Sequence, residues 1–142
     1  MVDQPFIPPQ GPPQVSAPHY FEKIGFDRLH AFSRQHYQNL SESSISEMFP
    51  KEPEELKAAA ERQADFLIGV MGGPPVYREK HGPPRMRARH LPFAIDEAAR
   101  QEWIRCFRAA FVAHAGLGLS LPEQKQFLDW IELFSGWMVN KK

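Results

Sequence analysis

Apolar positions recur at helical spacing in four stretches of the chain. Over residues 26–40, Phe26, Leu29, Ser33, Tyr37 and Leu40 share one stripe, with Arg28, Gln35 and Asn39 off it. The second stripe is Leu56, Ala59, Gln63, Phe66, Leu67, Val70 and Met71. Pro53 opens it, since proline suits a first helical turn, and Glu54 and Glu55 complement the helix dipole there. Gly72 and Gly73 end it by allowing left-handed backbone. Asp96 caps a third helix over 97–115, with Trp103, Phe107, Ala110, Phe111 and His114 inward and Arg100, Arg105 and Arg108 outward. Ser120 and Glu123 form a capping box for a last helix to about Val139, whose inner face is Phe127, Trp130, Ile131, Phe134 and Met138. The pattern predicts an all-α fold.

Shorter elements fill the gaps. A helical turn is expected over 19–24, and Ser44-x-x-Glu47 reads as a capping box for one turn leading to Phe49. Residues 72–95 read GGPPVYREKHGPPRMRARHLPFAI. Pro83 and Pro84 can open a helix of barely two turns, and Pro92 disfavours helical geometry at Leu91, so His90 closes it. Asn140, Lys141 and Lys142 are expected to fray from the last helix.

Composition adds limits. With 142 residues and no formal net charge, the chain is one domain with room for a small enclosed ligand. Residues 1–18 hold six of the 14 prolines and almost no charge, and are expected to form a flexible, proline-rich arm before a domain over 19–142. No apolar run has the length of a membrane span, and the start lacks the layout of a signal peptide, so a soluble, cytoplasmic protein is expected. The single cysteine, Cys106, excludes an internal disulfide.

The candidate chemistry centres on His90. Arg78, Lys80, Arg85, Arg87 and Arg89 surround one acid, Glu79, and a cation cluster wants an anionic partner. Met86 and Arg87 share the face of His90, four and three residues before it. A ligand with a metal, an apolar body and carboxylates would satisfy all of these residues, and haem is such a ligand. By itself, a histidine beside apolar residues is usually a satisfied structural one. The basic cluster lacks interleaved aromatics or a long basic face, which argues against nucleic acid. Gln63, inside an apolar stripe, must hydrogen-bond something, with backbone the plain alternative. Tyr37 and Trp103 read as core aromatics with a polar tip that seeks a partner, and His36 as a packed or partly exposed side chain.

The 72–95 segment followed by RQEWIRCF of residues 100–107 resembles the group II truncated haemoglobins, over roughly residues 19–140. Paired glycines, the proline-flanked basic loop, R-x-R-H, Phe-x-Ile and a tryptophan thirteen residues past the histidine carry the likeness. It departs at Phe26, where the family usually has a second glycine. The resemblance implies a globin-like, two-over-two helical sandwich around haem b, with His90 as the iron ligand and a gas such as O₂, CO or NO on the opposite face. It implies Tyr37, Gln63 and Trp103 as hydrogen-bond donors to that gas, with Ala59 where many globins carry a distal histidine. Phe49 would brace the haem edge, and Phe66, Leu67, Met71, Tyr77, Met86, Arg87, Arg89, Phe93, Ile95, Phe107 and Phe134 would complete the cofactor site. Tight O₂ binding for nitric oxide, peroxide or reactive-oxygen chemistry or for sensing is expected, with an external reductase, in a monomer or weak homodimer. The alternatives are simple oxygen storage and a haem-free helical interaction domain.

Overall fold

The computed structural model describes residues 5–142. Among them the chain forms seven α-helices and no strand: α1 Phe21–Ile24, α2 Phe26–Ser41, α3 Pro53–Val70, α4 Val76–His81, α5 Met86–His90, α6 Glu97–Ala113 and α7 Leu121–Met138. Helix α2 packs on both α3 and α6, and α6 packs on α7, so one helix pair lies over another in the expected all-α sandwich. Two of the expected caps are present. Asp96 accepts from the Ala99 N–H at 2.8 Å, and Ser120 and Glu123 close a reciprocal capping box.

The buried arc of α2 is wider than one stripe because the helix has two neighbours. Phe32 and His36 are fully buried along with Leu29, Ser33 and Leu40, whereas Phe26 stays 41% exposed at the helix start. Phe32 meets Phe107 edge-on at 4.8 Å, and Phe107 stacks on Phe127 at 5.9 Å. Aromatic pairs of this kind add roughly 0.5–1.5 kcal/mol each beyond the area they bury, and these two join α2, α6 and α7.

The expected capping box at Ser44 does not form. The turn over 46–48 follows Ile45 without a side-chain cap, and the Ser44 N–H and hydroxyl instead donate to Glu102 of α6, at 3.2 and 3.1 Å. Glu102 is held down to about 2, first by the Arg105 hydrogen bond and then by Ser44, so it is ionised and accepts charge-assisted bonds from Ser44.

Both paired glycines are required where they stand. Gly72 has φ 91, and a Cβ on Gly73 would sit 2.8 Å from Ile68 and Phe21. Between here and Ile95 there are two short helices where the sequence suggested a basic loop and one helix. Pro83 and Pro84 lie in the connection, not in the first turn of α5. The chain turns at Gly82, φ 80, and again at Arg85, φ 42, which leaves only five helical residues in α5.

The described part of the proline-rich arm lies against the body. Pro8, Ala17 and Pro18 are buried, and the Phe6 N–H donates to the Asn140 carbonyl at 2.9 Å. Fixed proline φ angles lower the entropy such a segment loses on docking, which the expectation of a flexible arm left out. Residues 1–4 of that arm lie outside the described residues. Asn140 is likewise buried, not frayed.

Candidate functional site

A cavity of about 400 Å³ opens between the two helix pairs. His90 reaches it from the end of α5. Its Nδ1 lies 2.6 Å from the Met86 carbonyl, which can only accept, so Nδ1 carries a proton and, in the neutral ring, Nε2 is the free lone pair. That is the tautomer a metal-binding imidazole needs. Helix α5 is too short to hold itself, and its surroundings hold it. Asn140 Nδ2 donates to the carbonyls of His90 and Phe93 at 3.2 and 2.9 Å, and its Oδ1 accepts from the Ile95 N–H at 2.9 Å.

From the other side, α2, α3 and α6 present Tyr37, Gln63 and Trp103 to the same cavity. Among the described residues, neither the Tyr37 hydroxyl nor the Trp103 indole N–H has a hydrogen-bond partner, and no buried side-chain nitrogen or oxygen is left unpaired. Both polar tips are therefore reached from the cavity. Burial pushes the Tyr37 phenol up to about 12, against a smaller opposing effect of Arg62, so it remains an O–H donor. Gln63 is engaged elsewhere: its Nε2 donates to His36 Nδ1 at 3.0 Å and faces Ser33 Oγ at 3.4 Å.

The bacterial-like globin family model matches residues 19–140. The group 2 truncated haemoglobin YjbI of Bacillus subtilis is 35% identical over 122 residues, 85% of this chain and 88% of that protein. The chain belongs to the group II truncated haemoglobins. In three dimensions this globin resembles phosphate-bound Hell's gate globin IV, with a TM-score of 0.82 and 36% identity over 91% of this chain and 80% of that one. It also resembles the truncated oxygen-avid haemoglobin of Bacillus subtilis, with a TM-score of 0.75 and 32% identity over 84% of this chain and 98% of that one. The cofactor of this globin is haem b and its ligands are small gases, which sets the haem-free interaction domain aside.

Most residues expected at the site do line the cavity: Tyr37, Phe49, Ala59, Gln63, Phe66, Leu67, Tyr77, Met86, Arg89, His90, Phe93, Ile95, Trp103, Phe107 and Phe134. Two do not. Met71 is fully buried in the core behind α3, where its carbonyl accepts from the Phe21 N–H. Arg87 turns away from the cavity. Its Nη1 donates to the Trp137 carbonyl and, at 2.9 Å, to that of Val139, its Nη2 to that of Phe6 at 2.9 Å, and its guanidinium lies 4.5 Å over the Trp137 ring. Sharing a face with His90 along such a short helix did not decide where a long side chain goes.

Arg89 lines the cavity, but its guanidinium donates to the carbonyls of His81, Pro83 and Pro84 and is not free for an anion. Two cavity arginines were missed. Arg100, expected to face outward, donates to Glu97, Glu132 and Ser135. Arg62 makes no hydrogen bond or ion pair among the described residues, so it is the cavity's uncommitted cation. Its position three residues after Ala59 was the available signal, but an arginine there reads as a solvated face.

Proposed function

We propose that the cavity holds haem b with His90 Nε2 as the iron ligand and Arg62 beside a carboxylate, and that Tyr37 and Trp103 donate to the bound gas. The observation that carries this reading is the pairing of a bare, cavity-facing His90 Nε2 with two unpaired donors across the same cavity. The apolar and aromatic lining from Phe49, Phe66, Phe93, Phe107 and Phe134 suits a flat macrocycle. When bound, haem supplies reversible gas binding and one-electron chemistry at iron.

The two donors favour a ligand with a partly negative outer atom. Hydrogen bonds to charged partners contribute about 1.5–3 kcal/mol each, so one bond alone slows escape by about tenfold or more. Slow release suits gas chemistry or sensing better than transport. Converting nitric oxide and O₂ to nitrate consumes one electron per cycle, so this reading includes a reductase as electron donor.

The test is O₂ release from the reduced, loaded protein, followed by stopped-flow displacement with CO. Tyr37→Phe and Trp103→Phe are each expected to speed release by about tenfold. Unchanged rates in both variants would sink the reading. Fast release in the unaltered protein, with no consumption of nitric oxide or peroxide when an electron donor is supplied, would favour plain oxygen storage.

A further inference from the structure

The amide of Gln63 has a donor end and an acceptor end, and which of them faces the cavity decides what the cavity recognises. His36, one residue from Tyr37 but turned into the core, fixes that choice. Its Nε2 lies 3.2 Å from the Trp103 carbonyl, which can only accept, so Nε2 carries a proton. Burial pushes this ring down to about 3, against smaller opposing effects from its bonds to Trp103 and Gln63. The rings packed on it are Phe32, Tyr37, Trp103 and Phe107, none of them charged. The imidazole is therefore neutral and its Nδ1 is an acceptor.

The Gln63 atom 3.0 Å from Nδ1 must then be the amide nitrogen, which also faces Ser33 Oγ. Gln63 Oε1 has no partner among the described residues, and no buried side-chain oxygen is unpaired, so Oε1 opens on the cavity that Gln63 lines. The distal wall thus offers one acceptor beside the two donors of Tyr37 and Trp103. The expectation from the sequence was three donors.

We propose that His36 is a positioning residue that holds the Gln63 carbonyl oxygen toward the cavity, so that the site prefers small ligands carrying a hydrogen of their own over ligands that only accept. Hydrosulfide and hydrogen peroxide belong to the first class, azide to the second. The ligand preference rests on the haem reading above. The orientation of Gln63 does not.

The first measurement is therefore independent of ligand chemistry. In ¹⁵N NMR of the loaded, CO-bound protein, His36 is expected to show a protonated Nε2 and a bare Nδ1 from about pH 5 to 8. A protonated Nδ1 would overturn the proposal. The second is the infrared C–O stretch of the same form. A lone pair beside the CO oxygen raises this frequency and an N–H donor lowers it, so Gln63→Leu is expected to lower it. A rise, or no change, would mean that Gln63 presents no acceptor and would end the idea.

In the ferric protein, Gln63→Leu is also expected to shift the preference for hydrosulfide over azide by about fivefold toward azide, the worth of one neutral hydrogen bond. An unshifted preference counts against the proposal. His36→Phe keeps a ring of similar bulk and releases the amide, so the C–O stretch should again fall. If that variant does not fold by circular dichroism, Gln63→Leu and the NMR decide alone. An unaltered protein whose spectrum ignores both CO and azide would sink the haem reading while leaving the His36 tautomer measurable.

Discussion

On one side of the cavity Tyr37, Gln63 and Trp103 stand on helices of 16, 18 and 17 residues, while on the other His90 stands on a helix of five. A long helix satisfies its own backbone, and its cavity-facing side chains are positioned by helices packed on both flanks. A five-residue helix forms at a loss, because nucleation fixes several dihedrals for one hydrogen bond. Its carbonyls and those around it must find partners from elsewhere. Here Arg87, Arg89 and Asn140 serve that need, reaching the backbone of the arm, of the α4–α5 turn, of the His90–Ile95 segment and of the C-terminal end. The wall of Tyr37, Gln63 and Trp103 is held by packing and the His90 wall by tethers. Loss of one tether should therefore act on His90 while leaving the other wall intact.

Arg87→Ala is the severest test of that contrast. It removes charge-assisted bonds to three carbonyls and the contact over Trp137. The expected cost is about 3 kcal/mol, since several such bonds to one group are not additive. Urea unfolding of the loaded protein measures it, and haem should pass faster to an excess of a haem-scavenging globin. Arg87→Lys should recover less than half, because an ammonium cannot span the three acceptors that a planar guanidinium reaches. A cost below about 1 kcal/mol would mean that water replaces the tether, and the contrast between the walls would fail.

Acid should weaken the other wall. His36 is held down to about 3 in the folded protein, against an ordinary value of 6.5. Between these values the unfolded chain binds a proton that the folded one does not, so stability present above pH 6.5 is lost as pH falls, by about 1.4 kcal/mol per pH unit. From pH 6.5, where the unfolded imidazole is already half protonated, to pH 4.5 the loss attributable to His36 is about 2.3 kcal/mol. Below about pH 4.5 the carboxylates of Glu102 and Glu123, both held down to about 2, begin to contribute as well. Urea unfolding at pH 6.5, 5.5 and 4.5, compared between the unaltered protein and His36→Phe, isolates the effect. Parallel slopes would show that the His36 ring is protonated in the folded state after all.

The same contrast explains what could be read from the sequence. The four long helices follow from periodicity, and two of their caps from Asp96 and Ser120-x-x-Glu123, because these signals are local. The Ser44 capping box failed because Glu102, 58 residues away, is a stronger partner than the local backbone. Phe32 was missed as buried, and His36 was left between packed and partly exposed, because a helix with two neighbours hides more than one stripe. On the His90 side the histidine and its helix end were legible from Pro92. The tethers were not, since Asn140 and Phe6 lie 50 and 81 residues from the groups they hold. Arg87 and Arg100 show the limit most plainly. Spacing names the helix face an arginine starts from, but its long side chain goes where acceptors are.

The smallest expected effect comes from the arm. Removing residues 1–16 takes away the Phe6 carbonyl that accepts from Arg87 and the Phe6 N–H that donates to Asn140, but leaves Arg87 its bonds to Trp137 and Val139. The expected loss is about 1–2 kcal/mol, the net worth of the two bonds removed once water replaces part of each, with the rest of the site intact. Its mechanism is open to a double-mutant cycle. If the arm acts through Arg87, truncation in an Arg87→Ala background should cost clearly less than truncation alone. Equal costs in the two backgrounds would mean that the arm stabilises the fold through the burial of Pro8 and its neighbours, independently of α5. The tether network on the His90 side would then consist of Arg87, Arg89 and Asn140 without the N-terminal segment.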